Sequence, residues 1–154
     1  MKRNALWLLA AVLATGLIAA GCGDDDDDDG GEESISKEEF VAQGNQICEE
    51  GDAEIDAAAE ETFGNAEPSQ EEVDAFVNDS VVPGIQGQID DLRDLGAPEG
   101  DEDELDGIYE DAEAALSDIE ADPTLVQGDQ DPFADVSQRL NDYGLTACGS
   151  SGGE

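Results

Sequence analysis

The chain has 154 residues, 42 acidic and five basic, for a net charge of −37, and it contains no histidine. A surface of that sign repels phosphate backbones and anionic headgroups, which excludes nucleic acid as a partner and any polybasic attachment to a membrane. The lack of histidine excludes Ser-His and Cys-His nucleophilic catalysis and histidine-bearing metal sites.

At the N-terminus, Lys2 and Arg3 precede an uncharged apolar stretch over residues 5–20 that contains Leu6, Trp7, Leu8, Leu9, Val12, Leu13, Leu17 and Ile18. Residues 1–21 therefore read as a signal peptide. The apolar run, about sixteen residues, is shorter than the roughly 20 that a bilayer span needs. It ends in Ile18-Ala19-Ala20-Gly21-Cys22, which resembles the lipobox of bacterial lipoproteins, with Ala19 where that pattern usually has leucine. The resemblance implies cleavage before Cys22, lipidation of its thiol and anchoring on the extracytoplasmic face of the cell membrane. Each buried methylene of the acyl chains contributes about 0.8 kcal/mol, so two or three chains hold durably where one would be marginal. An ordinary secretory signal with an incidental cysteine is the alternative.

After such a cut the 42 acids face only Lys37, Arg93 and Arg139, a net charge of about −39. Residues 22–33 form a lipidated acidic tether with no aliphatic or aromatic residue to bury, expected to be disordered and stretched by self-repulsion. Such a segment spans about 18 Å when flexible and up to roughly 36 Å when extended. Asp25, Asp27, Asp29 and Gly30 match the opening of a calcium loop, but its twelfth position would be Ser36 in place of a bidentate glutamate. The run reads as a solvated spacer.

Residues 34–148 are expected to form one helical domain. Leu, Ile, Val and Phe make up 25 of the 121 residues from Ser34 onward. That is just above the roughly 20% below which a highly charged chain stays disordered, so patterning must decide. Ser36 with Glu39, Ser69 with Glu72 and Asp101 with Glu104 have the spacing of a capping box or its aspartate variant, and Asp131-Pro132 marks a fourth helix start. The first helix carries Phe40, Gly44, Ile47, Gly51, Ile55, Ala58 and Thr62 on one stripe. Its two glycines imply a closely approaching neighbour, because each costs about 1 kcal/mol of helix propensity relative to alanine.

The second helix presents Val73, Phe76, Val77, Val81, Ile85, Ile89, Leu92 and Leu95 and ends at Gly96 and Pro98, with Pro83 expected to kink or divide it. The third carries Leu105, Ile108, Tyr109, Ala112, Leu116 and Ile119 and stops at Pro123. The fourth has Phe133, Val136, Leu140 and Tyr143, then Gly144-Leu145 as a left-handed cap with a hydrophobic contact behind it. Nothing alternates as a sheet would. The expected fold is all-α, an antiparallel four-helix bundle with short connections. With Cys22 taken by lipid, Cys48 and Cys148 remain, and an even pair outside the cytosol reads as a disulfide; two independent buried thiols are the alternative. Residues 149–154 are expected to trail as a disordered tail.

No catalytic, cofactor-binding or metal-ligating residue is assigned. Paired carboxylates are the one catalytic chemistry left, and among so many acids two neighbours arise without function. The densest run, Glu99, Asp101, Glu102, Asp103, Glu104 and Asp106, has ligand oxygens for a cation but no spacing that sets coordination, and it suits the dipole of a helix start. Pro83-Gly84 could open a crevice between helices, and Arg93 and Arg139 should pair with surrounding acids.

The chain as a whole resembles small actinobacterial lipoproteins and secreted helical proteins of uncharacterised function. The residues carrying that likeness are Gly21 to Asp24, Phe40 with Gln46-Ile47-Cys48, Val82-Pro83 with residues 89–95, and Tyr143-Gly144-Leu145 with Cys148-Gly149. The expected role is a non-enzymatic, membrane-anchored interaction or structural module with an envelope protein as partner and no cofactor. Its alternatives are a binding protein for a cation or small solute and, third, an enzyme using paired carboxylates. The acidity also fits a saline habitat.

Overall fold

Ser36 turns the chain into its first helix, its hydroxyl accepting the Glu39 amide at 3.3 Å while donating to the Glu39 carboxylate at 2.8 Å. The computed structural model describes residues 34–128 and 131–150. Cys22, the signal segment 1–21, the tether 22–33 and tail residues 151–154 lie outside the described residues. Five α-helices follow one another: α1 (Lys37–Phe63), α2 (Gln70–Phe76), α3 (Val82–Asp94), α4 (Glu102–Ala121) and α5 (Ala134–Tyr143). Short 3₁₀ turns lie at Pro123–Gln127 and Cys148–Ser150. The described residues contain no strand, as the patterning implied.

The expected second helix is α2 and α3 joined by a π-helical turn, Val77–Val81. Pro83 has no amide hydrogen to give to the fourth carbonyl back, and its ring would press on that carbonyl. The turn widens instead: the Val82 amide reaches the Val77 carbonyl, five residues back, and Pro83 falls in the first turn of α3 where a donor is not needed. Proline thus changes the helix type without interrupting helical structure between residues 70 and 94.

The start signals differ in outcome. Ser69 and Glu72 form a complete capping box, the Glu72 carboxylate accepting the Ser69 amide at 2.8 Å. Asp101 makes no side-chain bond to its own helix. Its carboxylate accepts the Tyr143 hydroxyl at 2.7 Å and pairs with Lys37 at 3.1 Å, so tertiary partners outcompete the cap. Asp131 does not start α5 directly: its side chain accepts the Phe133 amide at 2.8 Å in a local turn, and the helix proper begins at Ala134. The end of the α1 stripe also shifts by one residue. Thr62 is exposed, and Phe63 packs edge-on against Phe76 at 5.0 Å.

The core collects Phe40 and Cys48 from α1, Ile89 and Leu92 from α3, Leu105, Ile108, Tyr109 and Leu116 from α4, Val136, Leu140 and Tyr143 from α5, and Leu145 and Cys148 beyond it. The inward glycines are contacted as their pattern implied. A methyl group on Gly44 would lie 2.6 Å from Leu145 Cδ2, and one on Gly51 would lie 2.5–2.7 Å from the Gln88 side chain. Gly144 takes φ of 116°, a left-handed value that L side chains rarely adopt, and closes α5 with the Leu145 amide bonded to the Leu140 carbonyl at 2.9 Å. Leu145 is then fully buried. Past it the chain stays ordered: the Gly149 amide bonds to the Leu145 carbonyl at 3.0 Å and the Ser150 amide to the Ala147 carbonyl at 3.1 Å, two residues into the segment expected to trail.

Cys48 and Cys148 form the expected disulfide, with their Cα atoms 5.0 Å apart across a sequence separation of 100 residues. Closing a loop of that length stabilises by about 4.7 kcal/mol in the chain-entropy model. Urea denaturation of a Cys48→Ser/Cys148→Ser double variant should show a loss of that order; an unchanged midpoint would contradict the staple. Gly44→Ala should destabilise by about 1–3 kcal/mol in the same assay despite its gain in helix propensity, because the buried Leu145 and Leu92 side chains must shift to admit the methyl group.

Candidate functional site

Where α1, α3, α4 and α5 meet, their side chains leave a cavity of about 70 Å³. Its wall takes Ile85, Ile89 and Leu92 from α3, Ile108, Tyr109 and Ala112 from α4, and Val136 and Leu140 from α5, with Phe133 just before that helix. Both cysteines of the disulfide also line it. The apolar stripes that build the core therefore build the cavity, and the small Ala112 side chain fills little of the space between α4 and its neighbours.

Three polar side chains interrupt this wall: Gln88, Tyr109 and Ser137. The Gln88 amide donates to Asp52 at 3.3 Å, across to α1. Tyr109 is 4% exposed, and its hydroxyl is the one buried side-chain oxygen or nitrogen without a hydrogen-bond partner among the described residues. Burial pushes its pKa up to about 12, with the Arg93 charge opposing and Asp106 adding. The hydroxyl is therefore protonated at neutral pH and available as a donor. Arg93 stands 5.2 Å from the ring centre in a cation–π contact and is held there by a bidentate pair with Glu113 at 2.5 and 3.1 Å. That pair raises the arginine pKa and lowers the Glu113 pKa.

A second polar cluster closes the end of the domain where α1 begins. Tyr143 packs edge-on against Phe40 at 6.0 Å, carries the Lys37 ammonium 3.9 Å above its ring and donates its hydroxyl to Asp101. The Tyr143 bond chiefly, and Lys37 next, lower the Asp101 pKa; burial first, then Asp101, raises that of Tyr143. Asn45 ties down the C-terminal loop. Its side-chain amide donates to the Gly144 carbonyl at 3.1 Å, and its carbonyl accepts the Ala147 amide at 2.8 Å, beside the disulfide.

The sequence marked the cysteines and the apolar walls. It missed the Tyr109 hydroxyl, the Lys37–Asp101–Tyr143 cluster and Asn45, whose one signal was polarity beside the Gly44 stripe. Arg93 and Arg139 pair with acids as expected: Arg139 meets Asp111 and donates to the Gly107 carbonyl at 3.1 Å. The acidic run near the start of α4 is partly engaged, Asp101 by Lys37 and Tyr143 and Glu102 by the Gly100 amide at 2.7 Å. No group of three acids or cysteines could hold a metal ion among the described residues, and no helix there is long and apolar enough to cross a membrane. The cavity presents a largely apolar wall, a surface suited to binding.

The only two tyrosines are Tyr109 and Tyr143. Both fold with raised pKa values, so their stabilising contribution is full below the ordinary value near 10 and is lost as pH rises through their folded values. Phenolate absorbance should stay flat near pH 10 and appear cooperatively with unfolding at about pH 12; titration of either ring near 10 in the folded protein would contradict its burial. Asp101 works in the opposite sense, its contribution present above the ordinary carboxylate pKa and lost as pH falls through the lowered one. Asp101→Asn should therefore flatten the acid limb of a stability–pH curve. Comparison with protein-family models, curated proteins and solved structures finds no match.

Proposed function

We propose that this chain is a lipoprotein, exported, cleaved before Cys22 and held by lipid on that cysteine at the extracytoplasmic face of the cell membrane. There it acts as a non-enzymatic helical module, with an envelope protein as its partner in the leading reading. The observation that carries the proposal is the Cys48–Cys148 disulfide, since such bonds form and persist in oxidising compartments outside the cytosol. The lipobox-like residues 18–22 supply the address. The acidity of the chain is a second support, because without a basic patch the attachment must come from lipid.

The helices are read as an antiparallel four-helix bundle, α2 and α3 counting as one. Contacts of α1 with α3, α3 with α4 and α4 with α5 support this arrangement, as do the short connections. The absence of histidine and the partnered carboxylates at Asp101 and Glu113 favour binding over catalysis. A second reading, a binding protein for a small solute, is favoured by the apolar cavity.

Metabolic palmitate labelling of the full chain should place label on the membrane-bound protein, and Cys22→Ala should abolish the label. Label that survives the substitution, or membrane attachment without any label, would refute the anchoring.

A further inference from the structure

We propose that the end of the domain formed by the last turn of α1, by α2 and by the Pro123–Gln127 turn docks a protein partner through a basic segment that carries apolar side chains. The proposal states the chemistry of the envelope partner in the leading reading and rests on that reading.

Apolar surface marks the place. Leu125 and Val126, 37% and 40% exposed, are the exposed large hydrophobic side chains among the described residues. Every other leucine there is at least half-buried. The 3₁₀ turn that carries the pair is fixed locally, the Asp122 carboxylate accepting the Thr124 amide at 3.2 Å and the Thr124 hydroxyl at 2.6 Å. That turn lies alongside α2, where Val73 and Phe76 are half-buried and Phe76 meets the half-buried Phe63 at 5.0 Å. None of these five apolar side chains belongs to the main core. Apolar groups gathered at a surface in this way mark contact sites, whereas single exposed ones do not.

Charge selects the occupant. Glu60 and Glu61 at the end of α1, Glu67 in the connection and Glu71 on α2 are exposed, and none of them is ion-paired among the described residues. The described cations are committed elsewhere, Lys37 to Asp101, Arg93 to Glu113 and Arg139 to Asp111. A second copy of the chain would set the same acids against this face, and nucleic acid or anionic lipid would add its own charge, so each is repelled. Lysines and arginines beside apolar side chains meet both features: the apolar groups cover the patch, and the cations face its rim, steering encounter and fixing orientation. Position agrees with docking. From Lys37 to Phe63, α1 runs 27 residues or roughly 40 Å, so the patch stands at the far end of that helix from the residues that follow the tether.

The test uses the full chain carrying Cys22→Ser, so its outcome is independent of acylation. The probe is a synthetic helical peptide with leucines on one face and lysines on the other; its control has glutamate at each lysine. The lysine peptide should bind saturably, more weakly as salt rises, and shift the amide NMR signals of Phe63, Phe76, Leu125 and Val126, and the glutamate peptide should not bind. Leu125→Ser/Val126→Ser should weaken binding about threefold to tenfold, as should Glu61→Gln/Glu67→Gln/Glu71→Gln. Glu38→Gln/Asp142→Asn, beside the Lys37–Tyr143 contact at the other end of α1, should change it by less than about twofold. Should the serine variant fail to fold, the shift map of the chain with native Leu125 and Val126 still decides. Shifts spread evenly over the acidic surface, or binding indifferent to the serine variant, would overturn the proposal. So would self-association, or binding to phosphatidylcholine vesicles, that the serine variant abolishes, since the patch would then serve a second copy or a lipid surface. In cells, photoreactive benzoylphenylalanine in place of Leu125 should crosslink to an envelope protein. Adducts from the Asp142 position alone would overturn this docking end and leave the envelope-partner reading standing, whereas adducts from neither position would remove both.

Discussion

The bond between Cys48 and Cys148 is the constraint on which the rest of the domain depends. The described residues carry 32 acids against three bases, and compaction draws those like charges together. The buried aliphatic and phenylalanine side chains, fewer than the 25 such residues from Ser34 onward, would offset little of that repulsion unaided. The crosslink joins α1 to the turn after α5, so most of the domain lies inside one closed loop. It acts on the unfolded ensemble, where salt and pH change little of its effect.

Around the bond the structure economises on space and cation. Gly44 and Gly51 let Leu145 and Gln88 approach the α1 backbone, and Asn45, between them, secures the loop that carries Cys148. Each described cation joins separate parts of the chain: Lys37 reaches Asp101 ahead of α4, Arg93 spans α3 to α4, and Arg139 spans α5 to α4. These pairs are largely solvent-accessible and contribute little individually. Their placement matters more, since the cations stand where acidic helices meet. Tyr109 and Tyr143 show the two fates of a buried phenol in this core. Tyr143 has Asp101 as acceptor and closes one end, while Tyr109 has none and borders the cavity.

Much of the helix layout was legible because it is set locally. Ser69 and Glu72 complete their box through atoms three residues apart, and the Gly144 cap needs only its own φ and the Leu145 amide. Where local and distant partners competed, local pattern was a weaker guide. Asp101 has the spacing of a cap, but Tyr143, 42 positions away, offers its carboxylate a better bond. Pro83 announced a disturbance, and its form as a π turn depended on the helix continuing on both sides. Phe63 displaced Thr62 from the interior because Phe76 was within reach.

Taken alone, the sequence determined that the domain is helical, where most helices start and end, and that Cys48 and Cys148 pair, since periodicity, capping and cysteine arithmetic act along the chain or by count. It also determined which chemistries are closed to a chain without histidine. Only the tertiary structure decided that apolar stripes from four helices meet imperfectly and leave a cavity, and that the Tyr109 hydroxyl is buried without an acceptor. The reason is physical: packing gaps and unmet hydrogen bonds belong to relations among distant residues. A stripe of leucines and isoleucines reads the same whether its neighbours close on it or stop a few ångströms short.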